Sequence, residues 1–326
     1  MNTTTKLIDT SEVVGSGSKL ETYWNSEGFK DFYKKFRKGS VLNINNRTVN
    51  DLERFLETYK IRSVGFGNYV TQEDRYNYIS ALLISFYDLN KVLGFNNNIG
   101  LNKTVSISFG ARGSGSALAH FEPDTFIINI TRYSKDTEIS KDIRFAHTGG
   151  AGSVAHEYGH ALDYYFGLFV DKSQLSALSG GIMTAKELNQ ASPIRKAMDD
   201  ILNSLIWKVQ FKETSAYYKR LEARFESDYW FRRNEIFARA FEMYIQFKLN
   251  KNKIQNTFLH SSKYDPSAYP TNGEMMNVEK KFDYLIKLFK QKLVVEKKRL
   301  EPPKTEKKPP TKKPENSELT LFKRKS

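Results

Sequence analysis

Apolar residues recur about one helical turn apart in several stretches of the chain. In residues 50–59, Leu52, Phe55, Leu56 and Tyr59 share a face and predict a short helix. Residues 71–93 carry Tyr78, Leu82, Leu83, Phe86, Leu89 and Leu93 with the same period and predict a longer one. Upstream, residues 19–38 interleave Tyr23, Trp24, Phe29, Phe32, Tyr33 and Phe36 with lysines. That pattern reads as an amphipathic helix that packs on the main body or binds a partner.

The period then changes. Residues 104–109 alternate Val105, Ile107 and Phe109, and residues 125–131 run Phe126, Ile127, Ile128 and Ile130. Both predict strands, separated by Gly110-Ala111-Arg112-Gly113-Ser114-Gly115. Thr148-Gly149-Gly150 closes a polar loop, after which the pattern is mostly helical to about residue 249, with a last helix over 274–296. Strands first and helices after, without repeats or strand–helix alternation, predict an α+β fold with a small mixed or antiparallel sheet. Three segments follow: an N-terminal extension (1–49), a main domain (50–296) and a tail (297–326).

Composition narrows the chemistry. The 326 residues are 39% hydrophobic and 27% charged, ordinary globular material. The lack of cysteine excludes a disulfide scaffold, a thiol nucleophile and any Cys-ligated metal, so a transition metal needs carboxylates and some of only five histidines. Met1-Asn2-Thr3-Thr4-Thr5-Lys6 has no basic-then-apolar leader pattern, and the longest apolar stretch, near residues 81–87, is too short to span a bilayer. The expectation is a soluble protein of a reducing cytoplasm that makes no membrane contact. Residues 297–326 hold eleven Lys+Arg against four Glu, half of the chain's +14 charge, and five of its nine prolines. Such a segment reads as a disordered basic tail with weak nonspecific attraction to nucleic acid.

The chemistry concentrates in Ser153-Val154-Ala155-His156-Glu157-Tyr158-Gly159-His160-Ala161-Leu162-Asp163, which contains HExxH. On a helix His156 and His160 stand one turn apart on one face and can offer two imidazoles to one Zn²⁺. Glu157, beside them, can take a proton from a zinc-bound water. With this His content, a chance HExxH arises in roughly one such sequence in two hundred. A catalytic zinc also needs a third protein ligand and an open position. The choices are His120, His147, His260 or a carboxylate. Glu235 in Asn234-Glu235-Ile236-Phe237-Ala238-Arg239-Ala240-Phe241-Glu242 is the best candidate, because Ala238 and Ala240 permit close helix approach. Glu242, two turns later, competes with it, or instead stands behind the ligands. Asp163, one turn beyond His160, can accept the far imidazole N–H and fix its tautomer. Tyr229 can donate its hydroxyl to the oxygen of an attacked carbonyl. A peptide substrate would pair with the strand near residues 126–130. Gly110–Gly115 lacks the Lys-Ser/Thr of a P-loop, which argues against phosphoryl chemistry.

Several of these segments occur together in one order. Val64-Gly65-Phe66-Gly67-Asn68-Tyr69-Val70, Phe109-Gly110-Ala111-Arg112-Gly113, Ala117-Leu118-Ala119-His120-Phe121-Glu122-Pro123, Ile127-Ile128-Asn129-Ile130-Thr131-Arg132, the HExxH segment, Tyr229-Trp230 and Ala238-Arg239-Ala240-Phe241-Glu242 resemble the first type of large polyvalent protein-associated domain. The resemblance implies a zincin-like metallopeptidase fold and a phage or mobile-element origin. It also implies a bacterial host cytoplasm, with delivery in the virion beside phage DNA. The metal helix and the Glu235 segment are also similar to the catalytic domain of anthrax lethal factor, a zinc endopeptidase, which implies Glu235 as third ligand. The catalytic tyrosine of that family lies one position further from its ligand than Tyr229 lies from Glu235. In the tail, Glu318-Leu319-Thr320-Leu321-Phe322 resembles the bacterial sliding-clamp-binding peptide, with Leu319, Leu321 and Phe322 as the captured side chains. The expected function is zinc-dependent hydrolysis of a peptide bond in a host or phage protein. The alternative is a non-catalytic module tethered by its tail to the replication clamp or DNA.

Overall fold

The structure, a computed structural model, describes residues 33–34, 36–40, 42, 52–68, 70, 72–111, 118–131, 152–172, 176–181 and 184–300. Most of the N-terminal helix, His147 and the whole 301–326 stretch with Leu319, Leu321 and Phe322 lie outside these residues.

The fold is α+β. Its sheet has the order β2 (Val64–Phe66), β3 (Ser106–Phe109), β5 (Ile127–Ile130), β4 (Ala119–Glu122). β2 and β5 run parallel to β3, and β4 runs antiparallel to β5, so the sheet is mixed. Phe109, Ile107, Ile128 and Ile130 are fully buried. β1 (Arg37–Lys38) and α1 (Leu52–Tyr59) precede β2, and α2 (Gln72–Leu93), whose Leu82, Phe86 and Leu89 are inaccessible to solvent, connects β2 to β3. After the sheet come α3 (Val154–Tyr165), a π-helical turn (Phe166–Asp171), α4 (Ala185–Gln190) and α5 (Pro193–Ile206). A hairpin of β6 (Trp207–Val209) and β7 (Glu213–Thr214) leads to α6 (Ala216–Arg224) and a 3-10 turn (Asp228–Phe231). The chain then forms α7 (Arg233–Lys251), β8 (Gln255–Asn256) and α8 (Asn272–Leu300).

Both strands predicted by alternation form, as β3 and β5, and helices form where the 50–59, 71–93 and 274–296 patterns place them. The helical stretch predicted from the HExxH segment to residue 249 is broken by the β6–β7 hairpin. The strand expected to receive a peptide is corrected. β5 is hydrogen-bonded on both sides, to β3 and β4, so it has no free edge, and the outer described strand on its side of the sheet is β4, with β2 at the other edge. Part of the N-terminal segment is built into the body: Phe36 is buried against Phe258, and β1 pairs with β8.

Candidate metal centre

The HExxH segment becomes α3, and its entry is fixed by backbone contacts. Ser153 makes no side-chain cap; instead the Ala155 N–H reaches the Leu259 carbonyl at 2.8 Å and the Gly152 N–H reaches the Phe258 carbonyl at 3.0 Å. Gly152 has φ +88° and passes so close to Ser261 that a Cβ would sit 3.1 Å from its Cα. Only glycine suits that position.

α3 crosses α7 at Gly159, where a Cβ would lie 3.2 Å from the Cα of Ala238. Gly159 sits between His156 and His160 in sequence, and Ala238 between Glu235 and Glu242. The closest point of the crossing therefore brings both pairs together. Gly159→Val is expected to lower stability by about 1–3 kcal/mol in chemical denaturation, because the facing atom is backbone and cannot rotate away. Gly159→Ala is expected near zero, its strain offset by a helix-propensity gain of about 1 kcal/mol.

At the crossing, one Nε2/carboxylate oxygen from each of His156, His160 and Glu235 forms a group whose atoms all lie within 4.8 Å of one another. His156 Nε2 is 3.5 Å from Glu235 Oε2, and His160 Nε2 is 3.4 Å from Glu235 Oε1. Two ligands at 2.0–2.1 Å from a tetrahedral zinc lie about 3.4 Å apart, whereas N–H···O hydrogen bonds are about 2.7–3.2 Å. Glu235 Oε2 and His156 Nδ1 are buried with no hydrogen-bond partner. A buried carboxylate oxygen without a hydrogen-bond donor is costly, and this donor set fits a zinc ion. Burial works against the Glu235 charge, but the His156 and His160 imidazoles outweigh it and hold the carboxyl well below its usual range. Burial likewise opposes the His156 cation, and Glu235, Glu157 and Glu242 together raise its pKa.

Glu242, the competing ligand, faces the other side of the ring, with Oε2 at 3.7 Å from His156 Nδ1. Its carboxylate accepts from the Ser261 N–H (3.0 Å), the Tyr264 hydroxyl (2.8 Å) and the Tyr269 hydroxyl (3.2 Å). Burial raises its pKa against those donors. It stands behind the His156 ring, with Oε2 beyond hydrogen-bond reach of Nδ1. Asp163, expected to accept from His160, is corrected: its oxygens receive the Ser179 N–H and hydroxyl, and it bears on His160 only through charge. Arg195 bonds the Leu178 carbonyl at 3.0 Å, and Arg233 bonds the Ser179 carbonyl at 2.9 Å and Asp199 at 2.6 Å. These bonds tie α3, α5 and the first turn of α7 through residues 177–179.

Glu157 is 6% exposed and lines a cleft of about 710 Å³ with the three clustered residues. Tyr229, on the 3-10 turn, also lines it; burial and then the Glu235 carboxylate push its phenol well above the ordinary value. His120 lines the opposite side from β4, 3.3 Å from Glu122. His260 is a core residue instead: Nδ1 donates to the Ser261 carbonyl at 2.8 Å, Nε2 accepts from Asn256, and burial lowers its pKa. Sequence reasoning missed the tyrosine pair behind Glu242, the Ser179 partner of Asp163 and the wall residue Tyr164. None has a local signature, since each depends on a distant loop or crossing.

The described residues thus define an α+β protein with a buried His-His-Glu cluster at the foot of a cleft. Residues 221–293 match the family model of large polyvalent protein-associated domain 1, a domain associated with phages and other mobile elements. The match contains Tyr229, Glu235, Glu242, Tyr264 and Tyr269; His156 and His160 lie upstream of it. No curated protein and no solved structure gives a significant match. Among the described residues no helix is long and apolar enough to cross a membrane.

Proposed function

We propose that this protein is a zinc-dependent metallopeptidase with a zincin-like fold, hydrolysing a peptide bond in a host or phage protein. The observation that carries the reading is the meeting of His156, His160 and Glu235 beside Glu157 on the floor of a cleft bordered by β4. His156, His160 and Glu235 would hold the ion. When bound, zinc supplies a water of lowered pKa and polarises the scissile carbonyl. The chain's own groups do the rest. Glu157 takes the proton from the attacking water and passes it to the leaving amine. The Tyr229 hydroxyl donates to the carbonyl oxygen as charge builds on it. An extended peptide adds to the outer edge of β4, whose backbone groups fix it by main-chain hydrogen bonds. Glu242, held by Tyr264 and Tyr269, bears on His156 through its charge.

Elemental analysis of the purified protein tests the reading. About one zinc per chain is expected, lost in His160→Ala and bound more weakly in Glu235→Ala. Absence of zinc after the metal has been offered would overturn the peptidase reading and leave an interaction module.

A further inference from the structure

The cleft has a one-sided chemistry that narrows its substrate. β4 contributes Phe121 to it, the residues flanking that strand contribute Leu118 and Pro123, and α3 contributes Tyr164. The 3-10 turn contributes Tyr229 and Trp230. Among the described residues no Lys or Arg lines the cleft; its charged carboxylates are Glu157 and Glu235, beside the imidazoles of His120, His156 and His160. Two of its apolar groups stand unusually open to water, Leu118 at 53% and Tyr229 at 41% exposure. The walls are also packed against neighbouring side chains. Phe121 packs on Phe126 and Tyr164, with ring centroids 5.4 and 5.7 Å apart. Trp230 is stacked on Phe225 at 3.8 Å, lies under the Arg239 guanidinium at 5.3 Å, and gives its carbonyl to Arg239 at 2.5 Å. Apolar surface held in place loses little freedom when a ligand covers it.

The register of β4 adds direction. Ala119 and Phe121 lie opposite Ile130 and Ile128, so they share the buried face of the sheet, on which α3 packs. His120 and Glu122 lie opposite Asn129 and Ile127 and start from the other face, although the His120 ring also reaches the cleft wall. A peptide paired with the outer edge of β4 carries its side chains in the same alternation. Every second side chain then enters the space between Phe121, Tyr164 and Trp230, and those between them turn toward the His120–Glu122 face.

From this we infer that the cleft selects extended peptides with large apolar side chains at alternate positions, and rejects acidic side chains at those positions. A Leu, Met, Phe or Tyr there covers Leu118 and the aromatic walls. An Asp or Glu there is desolvated beside two carboxylates and meets no Lys or Arg among the described lining residues. The inference rests on the peptide-pairing part of the function proposed above.

Capture of a degenerate dodecapeptide pool on immobilised, zinc-loaded Glu157→Gln protein tests it, with the retained peptides sequenced by mass spectrometry. Leu, Met, Phe and Tyr are expected to be enriched over Asp and Glu by about tenfold or more at one position and again two residues away. The residue between should show no such preference. Leu118→Lys, at an open position, is expected to reduce the apolar-to-acidic ratio several-fold. No capture, a flat preference, acidic enrichment, equal enrichment at adjacent positions or an unchanged ratio in Leu118→Lys would each overturn the inference. Incubating the captured peptides with the wild-type protein separates the two ideas. Selected peptides that stay intact would sink the hydrolysis and leave the selectivity standing, whereas cleavage without alternation would do the reverse.

Discussion

Glu157→Gln is expected to keep about one zinc per chain and to slow peptide hydrolysis by about 10²–10⁴-fold. The substitution changes no volume and keeps a polar carbonyl at a position only 6% exposed, so the crossing of α3 and α7 has no reason to shift. Glu157 is also outside the group of ligand atoms formed by His156, His160 and Glu235, so metal occupancy should survive. What disappears is the ability to accept a proton, and a positioned general base contributes about 10²–10⁴ to rate. His160→Ala makes the contrast, because it removes a ligand and should lose metal and hydrolysis together. Hydrolysis that persists in Glu157→Gln at more than a tenth of the wild-type rate, with zinc bound, would remove Glu157 from the chemistry. Loss of zinc in the Gln variant would make Glu157 a ligand instead of a base.

The parts of this site legible in the sequence are those fixed by local geometry. His156 and His160 had to share a face because helix periodicity allows nothing else at i and i+4. β3 and β5 were legible because Val105-Ser106-Ile107-Ser108-Phe109 alternates apolar and polar positions and Ile127–Ile130 is rich in isoleucine. β2 was not, since Val64-Gly65-Phe66 is three residues long and shorter than any period test. β4 escaped for a related reason. Ala119-His120-Phe121-Glu122 alternates, but it is half-buried throughout and its four residues hold one large apolar side chain, too little for a period test. Glu235 lies 75 residues beyond His160, and it was reachable only because Ala238 and Ala240 hinted at a close helix contact. The Gly159–Ala238 crossing realises that contact. The opposite fates of Glu242 and Asp163 could not be read, because one is decided by Tyr264 and Tyr269 and the other by Ser179, all on loops whose path is set by tertiary packing.

The largest stability effect is expected far from the cleft, in Asp88→Ala. Arg37 and Asp88 form a fork-to-fork pair, Nε to Oδ2 at 2.8 Å and Nη2 to Oδ1 at 2.9 Å, with side chains 2% and 0% exposed. Asn256 adds a bond to Asp88 Oδ2 at 3.0 Å, and Arg37 Nη1 reaches the Ser40 carbonyl at 2.7 Å. The pair fastens β1 to α2, and Asn256 adds β8, so the cluster joins three segments far apart in sequence. Removing the carboxylate leaves a buried guanidinium with one carbonyl partner and frees an amide of Asn256. Breaking a buried pair on one side costs about 3–5 kcal/mol, which should show as a midpoint shift in urea unfolding and a fall in melting temperature on the order of 5–15 °C. Replacing both residues with apolar ones of similar size, Arg37→Met with Asp88→Leu, is expected to recover most of that loss, because the desolvation cost of both charges goes with them. Lys208→Ala, which breaks an ion pair with Glu213 whose lysine is 66% exposed, should move stability by less than about 1 kcal/mol. If Asp88→Ala and Lys208→Ala proved equally mild, the 33–42 segment would be dispensable packing and not a fastening of the core. A severe Asp88→Ala rescued by the apolar pair would instead locate the fastening in shape and burial, with the charges needed only because each answers the other.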